Sequence, residues 1–249
     1  MTSDPALTVV ILAAAIFLMA ALYSSVGHAG ASGYLAAMAL FAVAPAVMKP
    51  TALTLNILVA TVATVRFYRA GFFSWRVLLP FAATSIPFAF LGGSLSLPGN
   101  VYQKVVGVVL LFSAYRLFVY ARKEADREAK PVPLALALIL GAGIGLLSGI
   151  TGVGGGIFLS PLILIAGWAE TRQTSGVAAA FILVNSIAGL AGHIASVRNV
   201  PNEIYLWGVA AVAGGLIGTE LGRRRLATMT LRRVLSVVLV IAGLKLMLT

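Results

Sequence analysis

Two stretches of this 249-residue chain gather glycines, hydroxyls and one histidine inside apolar surroundings. The first is Ser-Ser-Val-Gly-His-Ala-Gly-Ala-Ser-Gly at 24–33, and the second is Ser-Gly-Ile-Thr-Gly-Val-Gly-Gly-Gly at 148–156. Glycine costs about 1 kcal/mol per position inside a helix relative to alanine, so each cluster reads as an unwound break. A new apolar helix is expected after each break, beginning near Ser32 and near Gly156. The first turn of a helix leaves N–H groups without partners and carries a partial positive charge. Such an end holds an anion without any formal charge. The candidate substrate-binding residues are therefore Ser24, Ser25, Gly27, Gly30 and Ser32 in the first break, and Ser148, Thr151, Gly152, Gly154, Gly155 and Gly156 in the second. His28 and His193 could donate to an oxyanion or relay a proton. Asn56 and Asn185 complete the set, as amides within apolar segments that either serve a ligand or bond a neighbouring helix. The competing reading of the breaks is close helix packing through small residues. Their matching places in the chain and their shared hydroxyls favour binding.

Other chemistries find no support. The chain has no cysteine, so disulfides, thiolate nucleophiles and cysteine-ligated metals are excluded. Two histidines alone do not make a metal site, and no cofactor is expected. The glycine runs lack the Gly-Lys-Ser/Thr ending of a phosphate loop, and no strand precedes them. No serine has a credible histidine and acid partner, so the chain is not expected to be an enzyme. The carboxylates are Asp4, Glu124, Asp126, Glu128, Glu170, Glu203 and Glu220, and of these only Glu220 falls within an apolar segment. A cation pump would want a carboxylate deep in the membrane.

The elements that must position these residues are set by composition. Hydrophobic residues make up 60% of the chain and charged residues 10%, against about 25% charged in soluble domains. The mean hydropathy is +1.02. Apolar runs follow one another from end to end without strand-like alternation, which predicts an all-α polytopic membrane protein. Ten segments are expected, at 6–26, 32–47, 51–68, 77–97, 101–120, 132–150, 156–168, 174–196, 204–222 and 231–248. The second and seventh are short for a bilayer that needs about 20 helical residues, so they read as half-helices or re-entrant pieces. Thr51, Thr174 and Ser175 are expected to begin helices as N-caps.

Charge sets the sidedness. Of the 18 basic residues, Lys49, Lys104, Arg198 and Lys245 fall on one set of connections and the other 14 on the opposite set. The positive-inside rule puts the richer set in the cytoplasm and both termini outside. Arg66 is the basic residue best placed to reach inward, with snorkelling to the surface as its default. The net charge of +11 suits loops over anionic lipid. Nucleic acid is not an expected partner, because no basic surface domain is left over to bind it.

The chain also repeats itself. Residues 22–35 lie against 146–159, Lys49 and Thr51 against Arg172 and Thr174, 90–95 against 216–221, and 101–117 against 230–246. The halves are 1–121 and 132–249, joined by a mixed-charge cytoplasmic linker at 122–131. Each half holds an odd number of crossings, and matching connections carry opposite charge bias, so the two repeats are expected to be inverted. Inverted repeats with glycine-broken helices at the centre are a transporter architecture.

The paired motifs, 23–36 and 143–165, resemble those of the TauE/SafE sulfite exporter family, and the ending at 214–226 followed by 232–246 is similar too. The resemblance implies an inner-membrane permease exporting sulfite or a small organosulfonate such as sulfoacetate, with homo-oligomerisation possible. An inside-negative membrane favours anion exit by about 2.3 kcal/mol per charge per 100 mV. The alternatives are a transporter or channel for a different small solute, and a non-transporting membrane assembly partner.

Overall fold

A computed structural model describes residues 5–25, 27–119, 130–194, 200–224 and 229–248. The run 122–129 of the expected linker, Arg198 and Arg225 lie outside the described residues. Those residues form ten helices and no strand. They are α1 (Pro5–Ser24), α2 (Ala31–Leu40), α3 (Pro45–Arg69), α4 (Trp75–Ser94), α5 (Gly99–Val119), α6 (Leu134–Thr151), α7 (Gly156–Ala166), α8 (Thr171–Gly192), α9 (Ile204–Arg224) and α10 (Met229–Leu248). Six of these, α1, α3, α4, α6, α8 and α9, are long and apolar enough to cross a membrane. The short pair, α2 with 10 residues and α7 with 11, reach about 15 Å at 1.5 Å per residue. That is half of a hydrocarbon core about 30 Å thick.

Boundaries differ from expectation at one place that matters. The second segment stops at Leu40 rather than running to 47, and the third begins at Pro45 rather than 51. Ala42 turns the chain with φ 54°, and Pro45 starts the next helix with the φ its ring already fixes. Pro50 is carried inside α3. Thr51 is therefore well inside α3, and Thr174 and Ser175 lie inside α8, so none of them caps a helix. The cap positions are Ala44 and Glu170. Ser175 instead donates back to the Thr171 carbonyl at 3.1 Å.

α3 and α8 form the centre. Sixty-one and 67% of their spans are buried, against 28–44% for the other four long apolar helices. They run antiparallel, since Leu53 meets Gly189, Asn56 meets Ser186 and Phe67 meets Gly176. Around them α4 packs on α6 and α8, α9 packs on α1 and α3, and α5 packs on α10. Large apolar side chains such as Leu79, Phe90, Ile139, Val209 and Ile241 point outward, as lipid contact requires.

Two glycine ladders hold the outer pairs. On α6, a Cβ at Gly141, Gly145 or Gly149 would collide with the carbonyl of Phe81, Ser85 or Ala89 on α4. On α9, a Cβ at Gly214 or Gly218 would collide with the carbonyl of Phe17 or Ala21 on α1, and one at Gly222 with the carbonyl of Ser25 just past its end. Both helices advance together along each ladder, so each pair is parallel. Each missing side chain lets a Cα–H face a carbonyl, a contact worth about 0.5–1 kcal/mol. Apolar helices in lipid gain little from the hydrophobic effect between them, so this closeness is what binds them. Gly145→Leu is expected to lower the thermal stability of the detergent-solubilised protein by about 2 kcal/mol or more through overpacking. Gly143→Leu, on the same helix with nothing within 4 Å of its Cβ position, is expected to leave the melting temperature unchanged.

Candidate functional site where the two breaks meet

Both breaks are unwound. The first holds Gly27 at φ 78° and Gly30 at φ 100°; the second holds Gly152, Gly154 and Gly155 at φ 81–82°. Gly30 and Gly155 are the N-caps of α2 and α7. Both sit in the left-handed region that side chains rarely enter, which is why glycine is required there. The structure thus sets Gly30 opposite Gly155, one position away from the register read in the sequence, which paired it with Gly154. The additional glycine of the second break absorbs the shift. Neither N-cap supplies a side-chain hydrogen bond to its helix; the Phe158 amide of α7 bonds the Gly155 carbonyl at 3.0 Å, and the amides ahead of it in the first turn are those suited to a ligand.

The breaks come together. The Nε2 of His28 lies 3.2 Å from the Gly156 carbonyl and 3.2 Å from the Ser160 hydroxyl. A carbonyl only accepts, so the first contact requires the proton on Nε2. Gly27 packs directly on Ser175 at the start of α8. Gly152 packs on Lys49 at the start of α3, with the Lys49 carbonyl 3.2 Å from its Cβ position. Each break therefore rests on the opening of the central helix from the other half.

Polar groups gather beside these contacts. Asn56 on α3 donates to the Ser186 hydroxyl on α8 at 3.4 Å. A Cβ at Gly154 would stand 2.9 Å from Asn56 Nδ2 and 3.2 Å from Ser186 Oγ. Asn56, Asn185, Ser24 and Ser148 are fully buried, and Asn56 Oδ1, Asn185 Oδ1, Ser24 Oγ and Ser148 Oγ have no hydrogen-bond partner. Buried polar atoms are normally paired, so these four keep capacity for a ligand or water, as do the hydroxyls of Tyr23, Thr51, Thr64 and Ser85 outside the candidate set. Asn185 donates to Phe181 of its own helix at 2.8 Å.

Other candidates are committed locally. Ser25 donates to Leu22 at 2.7 Å and Thr151 donates to Leu147 at 2.7 Å, while the Thr151 carbonyl accepts from Tyr102 at 3.1 Å. Ser32 is buried in the first turn of α2. His193 is the C-cap of α8, where burial and the neighbouring Lys49 ammonium hold its pKa below the ordinary histidine value.

Three residues were missed from sequence. Ser160 meets His28 one turn into α7, and Ser186 adjoins Asn185; a hydroxyl one turn after a break or beside a buried amide was the available signal. Lys49 was assigned to an exposed outer connection but is 4% exposed. Arg66, expected to snorkel, donates to the Leu216 carbonyl on α9 at 2.6 Å and lies 4.0 Å from Glu220. Glu220, the one acid within an apolar segment, is thus matched to a cation. A separate groove of about 310 Å³ runs between α5, α6 and α7, lined by Phe112, Arg116, Leu147 and Phe158 among others; it holds none of the candidate residues.

Broken apolar helices that converge on a buried polar centre make this a multi-pass helical membrane transporter. The chain belongs to the sulfite exporter TauE/SafE family, whose pattern matches residues 12–246. The probable membrane transporter protein y4hK of Sinorhizobium fredii is 46% identical over 242 residues, 95% of this chain and 97% of that relative. The probable membrane transporter protein MJ0441 of Methanocaldococcus jannaschii is 26% identical over 186 residues, 69% of this chain and 67% of that relative. No solved structure matches.

Gly154→Leu is expected to abolish transport while the protein still elutes as a folded species in detergent, because even a Cβ there would stand 2.7 Å from Ile182 and 2.9 Å from Asn56, on a backbone at φ 82° that a side chain strains, and so would reshape the break. Unchanged flux would remove the second break from the site. His28→Gln is expected to lower initial flux in proteoliposomes more than His193→Gln, since His28 joins the first break to Gly156 of the second. Equal and negligible effects would return both to packing.

Proposed function

We propose that the protein exports a small sulfur oxyanion or organosulfonate, such as sulfite or sulfoacetate, across the bacterial inner membrane by alternating access. In this reading the halves 1–121 and 132–249 are inverted repeats, the arginine-rich ends face the cytoplasm, and both termini face the periplasm. The observation that carries the reading is the convergence of the two breaks. His28 of the first break meets Gly156 at the N-terminus of α7, Asn56 and Ser186 adjoin Gly154, and Glu220 is matched to Arg66. Donors without a carboxylate suit a negative solute. The inversion is supported by α3 and α8, repeat-equivalent helices that cross antiparallel, and by the way α4 on α6 and α8 is mirrored by α9 on α1 and α3. Sulfite as the substrate is supported by membership of the sulfite exporter TauE/SafE family.

Proteoliposomes loaded with labelled sulfoacetate or sulfite are expected to release it, faster when the membrane potential repels the anion from the loaded side. A neutral amino acid is expected to stay inside. Robust flux of the neutral solute with none of either anion would overturn the reading. A stable complex with another membrane protein and no flux of any solute would favour the assembly-partner alternative.

A further inference from the structure

Lys49 brings a full positive charge into the protein without a countercharge. It stands one turn into α3 and is 4% exposed. Its ammonium donates to the carbonyls of Gly93 at 2.9 Å, Leu95 at 3.3 Å and Gly92 at 3.4 Å, all at the C-terminal end of α4. An ammonium has three protons, and here each has an acceptor. Helix C-termini carry partial negative charge, which suits the cation. No carboxylate pairs with it among the described residues, where the one carboxylate ion pair is Arg66 with Glu220. The hydrogen bonds are therefore complete while the charge remains unbalanced.

The position of this cation matters as much as its charge. The backbone of Lys49 packs on Gly152, so the residue is part of the wall of the second break. His193, at the end of α8, lies close enough for the Lys49 charge to oppose its protonation. A Cβ at Gly93 would collide with the Gly189 carbonyl of α8, so α4 and α8 are already in contact at this end. The second break rests on the backbone and Cγ of Lys49, while the ammonium of the same residue sits against the end of α4. Burying a cation costs several kcal/mol even when it is well hydrogen-bonded, and an apolar side chain could pack α3 on α4 without that penalty.

We propose that Lys49 is an anion-responsive latch. With no anion present, it ties the start of α3 to the end of α4 and closes that end of the bundle. An anion leaving the breaks offers the ammonium a full opposite charge in place of three neutral carbonyls. The bonds are charge-assisted in either state, but an anion adds an ion–ion attraction that is strong away from water, so the exchange draws Lys49 from α4 and frees that end to open. This latch rests on the reading of the chain as an anion transporter.

The absence of native cysteine allows a clean test. Val153, 4% exposed in the second break, is replaced in the full chain as Val153→Cys and its labelling by a maleimide is timed in proteoliposomes. Methanesulfonate is expected to speed labelling by about fivefold or more, the low end of coupling between a ligand and a two-state element. Dimethyl sulfone, of similar shape but uncharged, is expected to have no effect. In Lys49→Met, labelling is expected to be fast from the start and indifferent to methanesulfonate; Lys49→Arg is expected to keep the response. The latch is overturned if the two small molecules act alike, if neither acts, or if Lys49→Met responds as the parent does. The first two outcomes need no Lys49 variant, so a folding defect cannot hide the answer. Sulfoacetate flux with no response at Val153→Cys sinks the latch alone. No flux of any anion sinks the transport reading, whatever the labelling shows.

Discussion

Backbone amides and carbonyls in hydrocarbon must find partners within the protein, and this chain leaves the helix twice in its interior. Everything else in the architecture serves to enclose those two exits. Each break is walled by the start of the central helix from the opposite half: Gly27 on Ser175, Gly152 on Lys49. The breaks also wall one another through His28 and Gly156. Neither half could hide its unwound stretch alone, so the polar centre exists only in the assembled fold. The same enclosure gives it a chemical use, because amides and hydroxyls shielded from water interact strongly with whatever charge is admitted.

Close approach is the second requirement. The ladders on α6 and α9 bring backbones together at spacings no side chain would permit, and each gains contact along its full length. Glycine has two distinct jobs in this protein. At the breaks it adopts left-handed backbone; on the ladders it is ordinary helix with its side chain omitted. On the ladders it costs about 1 kcal/mol per residue in helix propensity and the return is steric; at the breaks the backbone is not helical and the return is conformational.

Much of this was legible from the residues. All ten helices match the ten apolar segments in order, because each segment is a long apolar run bounded by polar or turn residues. The start of α2 and α7 was readable from glycine clusters, since few other residues tolerate the required φ. The end of α2 was not, because Phe41-Ala-Val-Ala continues the apolar pattern and only Pro45 marks the new helix. The ladders went unread, as a Gly-x-x-x-Gly spacing does not say which carbonyl faces it. Lys49 was misplaced for a related reason. A lysine beside a proline reads as surface, and the three carbonyls that draw it inward belong to residues more than 40 positions away. Arg66 and Glu220, on different halves, posed the same difficulty: neither sequence neighbourhood names the other.

The ladders also limit how the protein can move. Transporters built from repeats are commonly pictured with one repeat rocking as a block against its twin. Here α4 of the first half is zipped to α6 of the second, and α1 to α9, along parallel seams that leave no room to slide. Any rigid body that travels must contain helices drawn from both halves. On the proposed reading, the natural moving parts are two mixed ribbons, α1 with α9 and α4 with α6, turning about the crossed α3–α8 axle, so the boundary between repeats is not the hinge.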